Sequence, residues 1–163
     1  MALLSAASYG WSVHGEDMRM TLLRSPRWPD PAADIGHHDL SFAICPHPGS
    51  WQDAGVVAEA LRFNAPLLLG ESTGATRSWF STDTPGLLID TVKRAEDGDD
   101  LVVRLYEAHG GRGVARLRVG VPFTEAWFTN LLEDRQSAAE VDRDEVVIPF
   151  RPFQIITVGL ATP

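Results

Sequence analysis

Residues 86–107 read GLLIDTVKRAEDGDDLVVRLYE and hold two apolar runs separated by the acidic turn EDGDD. Runs of strand length on either side of a glycine-containing turn are typical of a β-hairpin. In the following segment, VARLRVGV, the apolar residues Ala115, Leu117 and Val119 alternate with two arginines. A period of two predicts a strand with one buried face. This part of the chain therefore predicts antiparallel β-structure.

The other segments add further strand patterns and one helix. YGWSV and MRMTLLR flank a turn at residues 14–17 and predict another hairpin, and SWFSTD and VVIPFRPFQIITVGL predict additional strands. EAWFTNLLE fits either a strand or a short helix. SWQDAGVVAEALRFN predicts an α-helix at about residues 50–63, with Ser50 as its N-cap and Asp53 three positions later. The pattern predicts a mainly β fold, an antiparallel β-sandwich with one short helix, in a single domain over residues 1–163.

Composition restricts the class of protein. The chain has 163 residues, 44% of them hydrophobic, and a net charge of -8. It is long enough to bury a core without a metal or a disulfide, and its single cysteine excludes an intrachain disulfide. The negative charge argues against nucleic-acid binding and against docking on an anionic membrane. No apolar run reaches the roughly 20 residues of a membrane helix, and no signal peptide is visible, so we expect a cytoplasmic location.

Residues 34–49, DIGHHDLSFAICPHPG, contain three of the five histidines and the only cysteine. His37 and His38 are adjacent and point to opposite sides of an extended chain, and His47 is ten positions from His37. This spacing does not match the usual arrangement of zinc ligands. Loop histidines that form hydrogen bonds are therefore favoured over a metal site. LSFAIC, residues 40–45, predicts a buried strand in which the cysteine is a small core residue.

No residue pattern identifies a catalytic group. A Gly-x-Ser-x-Gly elbow is absent, and the glycine cluster in YEAHGGRG lacks the lysine of a P-loop. The chain has 22 acidic residues, so a pair such as Asp30 and Asp34 carries little weight as a glycosidase pair. Trp28 lies in a polar, proline-rich loop and is the tryptophan best placed to stack on a sugar ring. The residues alone indicate a β-sandwich without a self-contained catalytic site.

The segment LLRSPRWPDPAADIGHHDLSFAICPHPGSWQDAGVVAEALRFNAPL closely resembles the C-terminal region of the α-mannosidases of glycoside hydrolase family 38, of the bacterial and cytosolic type. The motifs that carry the resemblance are LLRSP at 22–26, PD at 29–30, DIGH at 34–37, PHPG at 46–49 and AGV at 54–56. The resemblance continues in GLLIDTVKRAEDGDDLVVRLYEAHGGRG, TNLLE and FRPFQIITVGL, in order and with the spacing of the family. It covers essentially the whole chain.

The resemblance implies a terminal β-sandwich that belongs to a larger chain, after an N-terminal catalytic domain and a helical bundle. The implied reaction of the full-length enzyme is retaining hydrolysis of α-mannosidic bonds. The catalytic nucleophile and the zinc ligands of the family belong to the N-terminal part. The resemblance therefore assigns no catalytic residue and no metal ligand here, and it implies zinc only for the missing catalytic domain. We expect these 163 residues to be non-catalytic.

The polar loop that carries Arg24, Asp30, Asp34 and His37 is expected to form either a wall of the sugar pocket or a contact with the catalytic domain. Arginine and carboxylate groups suit both tasks, and the domain contact is favoured. Two alternatives stay open. One is an independent carbohydrate-binding module that uses Trp28 for stacking, and the other is a metal-dependent hydrolase centred on the histidines.

Overall fold

The computed structural model of the chain describes residues 1–65, 67–70, 74 and 76–163. Within them it has thirteen strands and one helix. In chain order these are β1 (Ala2–Ser5), β2 (Trp11–His14), β3 (Asp17–Met20), β4 (Phe42–Cys45), α1 (Val56–Asn64), β5 (Phe80–Thr82), β6 (Leu87–Arg94), β7 (Leu101–Glu107), β8 (Gly113–Val119), β9 (Glu125–Thr129), β10 (Arg135–Ala138), β11 (Val141–Asp142), β12 (Glu145–Phe150) and β13 (Ile155–Ala161). The described residues contain no helix that is long and apolar enough to cross a membrane.

The chain divides into two compact units. The single domain over residues 1–163 stays a prediction. Unit 1 is Met1–Leu69 and unit 2 is Gly70–Pro163. Strand patterns report which segments are extended, but they do not report which strands share a core. The division therefore appears only when the pairing of the strands is known.

Unit 2 is an antiparallel β-sandwich, which confirms the predicted fold class. One sheet has the strand order β10-β9-β13-β7-β6 and the other has the order β11-β12-β8-β5. All strand pairs in both sheets are antiparallel. The core lies between the sheets and consists of buried side chains from six strands: Leu87, Val103, Leu105, Ala115, Leu117, Val119, Ala126, Val146, Ile148, Phe150, Ile156, Val158 and Leu160.

The alternation in β8 has the predicted orientation. Ala115, Leu117 and Val119 are buried, whereas the two arginines between them are exposed. Arg116 lies 3.2 Å from both Asp142 and Glu145 on the neighbouring strands. These carboxylates raise the pKa of the guanidinium above its usual value. One face of the strand is thus in the core, and the other carries exposed ion pairs.

The hairpin at residues 86–107 is also confirmed. Strands β6 and β7 pair from Leu87 opposite Glu107 to Arg94 opposite Leu101, and Ala95 donates its N–H to the Asp100 carbonyl at 2.8 Å across the turn. EAWFTNLLE, which fits either a strand or a helix in sequence, forms strand β9 over Glu125–Thr129.

The outer face of the five-stranded sheet is closed over Gly159 by an indole ring. Trp127 lies opposite Gly159 in the β9–β13 pair and is buried. The guanidinium of Arg135 lies over the ring, 4.4 Å from its centroid, so that a cation–π contact covers it. A Cβ atom at Gly159 would lie 2.5 Å from indole atoms. Glycine is required here because the indole occupies the space of a side chain.

Glu107 is a buried carboxylate that joins two turns of the sandwich. It is 2% exposed, and it accepts the N–H groups of His109 and Gly110 at 2.8 Å each and of Phe153 at 2.9 Å. Burial alone raises the pKa of this carboxyl, but the hydrogen bonds from the backbone lower the pKa below its usual value. The ionised form therefore stabilises both the β7–β8 turn and the β12–β13 corner.

Unit 1 contains two separate two-stranded sheets and the helix. Strand β1 pairs with β4, and β2 pairs with β3 in the hairpin expected around residues 14–17. The helix is shorter than the predicted range 50–63. Ser50 and Asp53 do form the expected contacts, with Asp53 N–H on Ser50 Oγ at 3.1 Å. The next residues form turns, Gly55 adopts a φ of 64°, and the helix begins only at Val56.

The prediction of a buried strand at residues 40–45 is wrong. Strand β4 covers Phe42–Cys45, and its burial alternates. Phe42 is 52% exposed and Ile44 is 61% exposed, while Cys45 is only partly buried. The strand is apolar on both sides, but in unit 1 only one side is covered.

Replacing Gly159 by alanine should destabilise unit 2. The new methyl group overlaps the Trp127 indole, and overpacking of this kind costs roughly 1–3 kcal/mol of unfolding free energy. Gly70→Ala is the matched control, since no atom lies within 4 Å of a Cβ there. Urea unfolding curves of the two variants measure the difference. Equal stability of the two variants contradicts the assigned position of the indole.

Replacing Glu107 by glutamine should lower the unfolding free energy at neutral pH by about 2–4 kcal/mol, because an amide accepts fewer of the backbone N–H groups. The folded pKa of Glu107 is lowered, so its contribution is present above the unfolded pKa of about 4.3 and is lost as pH falls. The gap between wild type and Glu107→Gln should therefore narrow below about pH 4. Denaturant titrations at several pH values test this, with the exposed Glu140→Gln as control. A gap that is independent of pH contradicts the ionised role of Glu107.

Candidate functional site

The polar loop between β3 and β4 is held in shape by its own carboxylates. Asp34 Oδ2 accepts the N–H of Ser25 at 3.1 Å, which closes the loop on itself. Both residues have positive φ, 47° for Ser25 and 59° for Asp34. Asp30 Oδ1 accepts the N–H of Ala32 at 2.9 Å in an Asx turn. The two aspartates predicted as site residues therefore have structural tasks within the loop.

A cavity of about 320 Å³ lies between this loop and the segment that precedes β2. Arg24 and Asp34 line it, so the structure brings two of the four predicted site residues together. The remaining lining residues are Ala7, Ser8, Tyr9, Gly10, Thr21, Leu22 and Leu23. Asp30, His37 and Trp28 are not among its described lining residues.

The segment at residues 7–10 is the part of the cavity that sequence reasoning missed. Thr21 donates its N–H to the Gly10 carbonyl at 2.8 Å, and Ser8 donates its hydroxyl to the Thr21 carbonyl at 2.5 Å. These bonds extend the β2–β3 hairpin and bring Tyr9 close to Arg24. The hairpin pattern itself was the available signal, because it places residues 8–10 opposite residues 21–23.

The lining of this cavity combines charge, hydroxyl groups and apolar surface. Arg24 offers a fork of donors and Asp34 accepts, while Ser8, Tyr9 and Thr21 are lining residues that bear a hydroxyl group. Leu22 and Leu23 add apolar area beside them. Such a lining suits either sugar hydroxyls or the polar surface of a protein domain. No pair of carboxylates lines it among the described residues, as the acidic member is Asp34 alone.

The histidines of the loop point to three different partners. His37 Nε2 lies 3.2 Å from Asp39 Oδ1, His38 Nε2 lies 2.9 Å from the Asp34 carbonyl, and His47 Nδ1 lies 3.2 Å from the Pro48 carbonyl. Over the described ranges, no group of three or more His, Cys, Asp or Glu residues is arranged to hold a metal ion. These donors do not fit a zinc ion, and the hydrogen-bonding interpretation of the histidines accounts for each of them.

Trp28 is exposed, as expected from its position in the loop. Its side chain is 85% exposed and follows Arg27 in the proline-rich stretch. An exposed indole offers a flat face for stacking. The stacking role of Trp28 stays a prediction.

The sandwich of unit 2 matches a family model. The model is described as Glycosyl hydrolases family 38 C-terminal beta sandwich domain, and it matches residues 86–158. Unit 2 is therefore similar to the C-terminal beta sandwich domain of glycosyl hydrolase family 38. The match includes the hairpin β6–β7, the strands β8, β9 and β12, and most of β13. The resemblance seen in the sequence is thereby confirmed.

Curated relatives extend the similarity to unit 1. Alpha-mannosidase 2C1 of Homo sapiens is 40% identical over 98% of this chain, and alpha-mannosidase G of Dictyostelium discoideum is 34% identical over 96% of it. An alpha-mannosidase of Saccharomyces cerevisiae is 28% identical over 98%. The chain spans only 15–17% of the length of these relatives.

Replacing Asp34 by alanine should loosen the candidate loop. The Ser25 N–H then loses its acceptor, and a hydrogen bond of about 1 kcal/mol corresponds to roughly five- to tenfold faster amide exchange. Hydrogen exchange at Ser25, followed by NMR, measures the effect. Asp39→Ala is the matched control because the Asp39 side chain is 96% exposed and lies beside the exposed His37. If the two variants exchange equally at Ser25, the Asp34 contact does not hold the loop.

Proposed function

We propose that this chain is the C-terminal accessory part of a longer α-mannosidase and is not catalytic by itself. The observation that carries the proposal is the ordered similarity to α-mannosidases along 98% of the chain, although the chain spans only 16% of such a relative. In this proposal the full-length protein hydrolyses α-mannosidic bonds with retention. The catalytic domain and the helical bundle are then contributed by the part outside residues 1–163.

The carboxylate chemistry of the described residues supports a non-catalytic role. Glu107 is the buried acid of the sandwich, and backbone N–H groups occupy both of its oxygens. A general acid or base needs an oxygen that can reach the substrate. Asp30 and Asp34 are engaged in loop turns in the same way. The zinc of the enzyme would be held outside this chain, because the histidines here do not converge.

The cavity lined by Arg24 and Asp34 is the proposed contact of the loop with the catalytic domain. Its charged pair and its three hydroxyl-bearing residues suit a polar protein surface, and this use is favoured over direct contact with the sugar. His37 and Asp30 lie elsewhere on the loop and would contribute to the rim of this contact. The cytoplasmic location stays a prediction from the sequence.

A carbohydrate-binding module that acts independently is the second candidate. The observation in its favour is the 85% exposed Trp28. Aromatic stacking on a sugar ring needs such a face, together with polar groups that bind the hydroxyls. Trp28 is not among the described residues that line the cavity with Arg24 and Asp34, so this candidate has the weaker support.

Activity measurements separate the two candidates. The native polypeptide that contains these residues should cleave an aryl α-mannoside, and the purified 163-residue chain should show no turnover. Turnover by the 163-residue chain, with contaminating enzyme excluded by a mock purification, contradicts the accessory role. Absence of mannosidase activity in the longer polypeptide contradicts the proposed reaction.

Calorimetry tests the binding module. Titration of the 163-residue chain with millimolar mannose should give no heat of binding if the accessory role is correct. Heat that disappears in Trp28→Ala but persists in Trp51→Ala would assign the chain to the second candidate.

A further inference from the structure

Unit 1 buries very little of its apolar surface. Among its described residues only Leu4 is buried, at 8% exposure. A unit of about this length normally buries roughly 60% of the surface that its unfolded chain exposes. Large apolar side chains are instead exposed throughout unit 1: Tyr9, Trp11, Val13, Leu22, Leu23, Trp28, Ile35, Leu40, Phe42, Ile44, Trp51, Leu67, Leu68 and Leu69. The described residues of unit 1 therefore form no buried core of their own.

The two-stranded sheet of β1 and β4, here named the β1–β4 ribbon, shows where apolar surface is concentrated. Its register places Leu3 opposite Ile44 and Ser5 opposite Phe42. Side chains of a strand alternate between faces, so these four residues share one face, here named the outer face. The other face carries the buried Leu4, and α1 contacts β1.

The outer face has the composition of a buried surface. A strand with one face in water usually carries polar residues on that face. Here Phe42 and Ile44 occupy the outer face, and each is more than half exposed. Leu3 lies directly opposite Ile44. The strands are therefore apolar on both sides, which is typical of strands that are covered on both faces.

The edges of the β1–β4 ribbon are also unpaired. Within the described residues, β1 and β4 pair only with each other. A two-stranded sheet is marginally stable by itself, and an open edge offers unused N–H and C=O groups to another strand. The ribbon contains neither proline nor charged residues within its strands, which are the usual features that protect an edge.

A groove of about 470 Å³ lies beside the outer face. Leu3, Ile44, Met18 and Met1 line it together with the charged hairpin residues Glu16, Asp17 and Arg19. Protein interfaces commonly combine apolar and charged residues in this way. The groove thus continues the apolar outer face toward the β2–β3 hairpin.

We propose that the outer face and a free edge of the β1–β4 ribbon form an interface for a β-sheet from the part of the longer chain outside residues 1–163. Relatives are about six times as long as this chain, so such a segment is available in proteins of this kind. Edge pairing supplies main-chain hydrogen bonds, and packing on Leu3, Phe42 and Ile44 supplies apolar burial. The inference rests on the proposed function for the identity of the longer chain.

Hydrogen exchange tests this interface in the native polypeptide and in the 163-residue chain. Amides of β4 should exchange at least about 100-fold more slowly in the native polypeptide, because pairing and burial close that edge. Equal exchange rates in the two proteins would overturn the proposal. Protection that instead grows with the concentration of the 163-residue chain would assign the face to a second copy and would overturn it as well.

A pair of matched variants locates the contact. Ile44→Lys places a charge on the outer face, whereas Val114→Lys changes an apolar strand residue of unit 2 that is exposed to a similar degree, 65% against 61%. In the native polypeptide Ile44→Lys should restore fast exchange in β4, and Val114→Lys should not. In the 163-residue chain both should leave the exchange of β4 unchanged. If the β4 amides exchange equally slowly in Ile44→Lys and in Val114→Lys in the native polypeptide, the result contradicts the interface. Mannosidase activity is not a readout here, so a failure of the proposed function is detected separately.

Discussion

Six strands of unit 2 place alternate side chains in one layer between two sheets, and thirteen of these side chains form a continuous buried core. Each strand depends on this layer, because a single half-buried strand gains little without the facing sheet. Polar residues of unit 2 hold the strands and corners around this core. Glu107 fixes two corners with backbone hydrogen bonds, and the arginines of β8 form ion pairs on the solvent side. The described part of unit 1 shows no such layer, and this difference explains its exposed apolar residues.

The sequence predicted those parts of the fold in which local patterns decide the outcome. Two such patterns are local, the period of two in residues 114–119 and the glycine-containing turn at 96–100. The sequence alone therefore predicts the strand and the turn. The helix start was misplaced, since Ser50 and Asp53 form their cap-like contacts in a turn and Gly55 delays the helix. The burial of β4 was misjudged for a different reason. An apolar pattern indicates that a strand is suited to burial, but the covering element has to be supplied by the tertiary structure.

The candidate site shows the same division between local and distant information. The loop with Arg24 and Asp34 was identified from residue types and from the family resemblance, and the structure does place these two residues at one cavity. Ser8 and Tyr9 were missed because they reach the cavity through pairing beyond the end of the hairpin. The histidines looked like ligands as residue types, yet each has a separate neighbour. Convergence of side chains is a property of three-dimensional position, which a list of residues does not contain.

The indole of Trp127 has a consequence for spectroscopy. It is buried under Arg135, whereas Trp11, Trp28 and Trp51 of unit 1 and Trp79 of unit 2 are all exposed to water. Indole fluorescence shifts to longer wavelength on contact with water, so the short-wavelength part of the emission comes from Trp127. Loss of that component reports the opening of the five-stranded sheet, and the remaining emission reports mainly on unit 1. The chain thus carries an intrinsic optical probe that follows the sandwich separately from the rest.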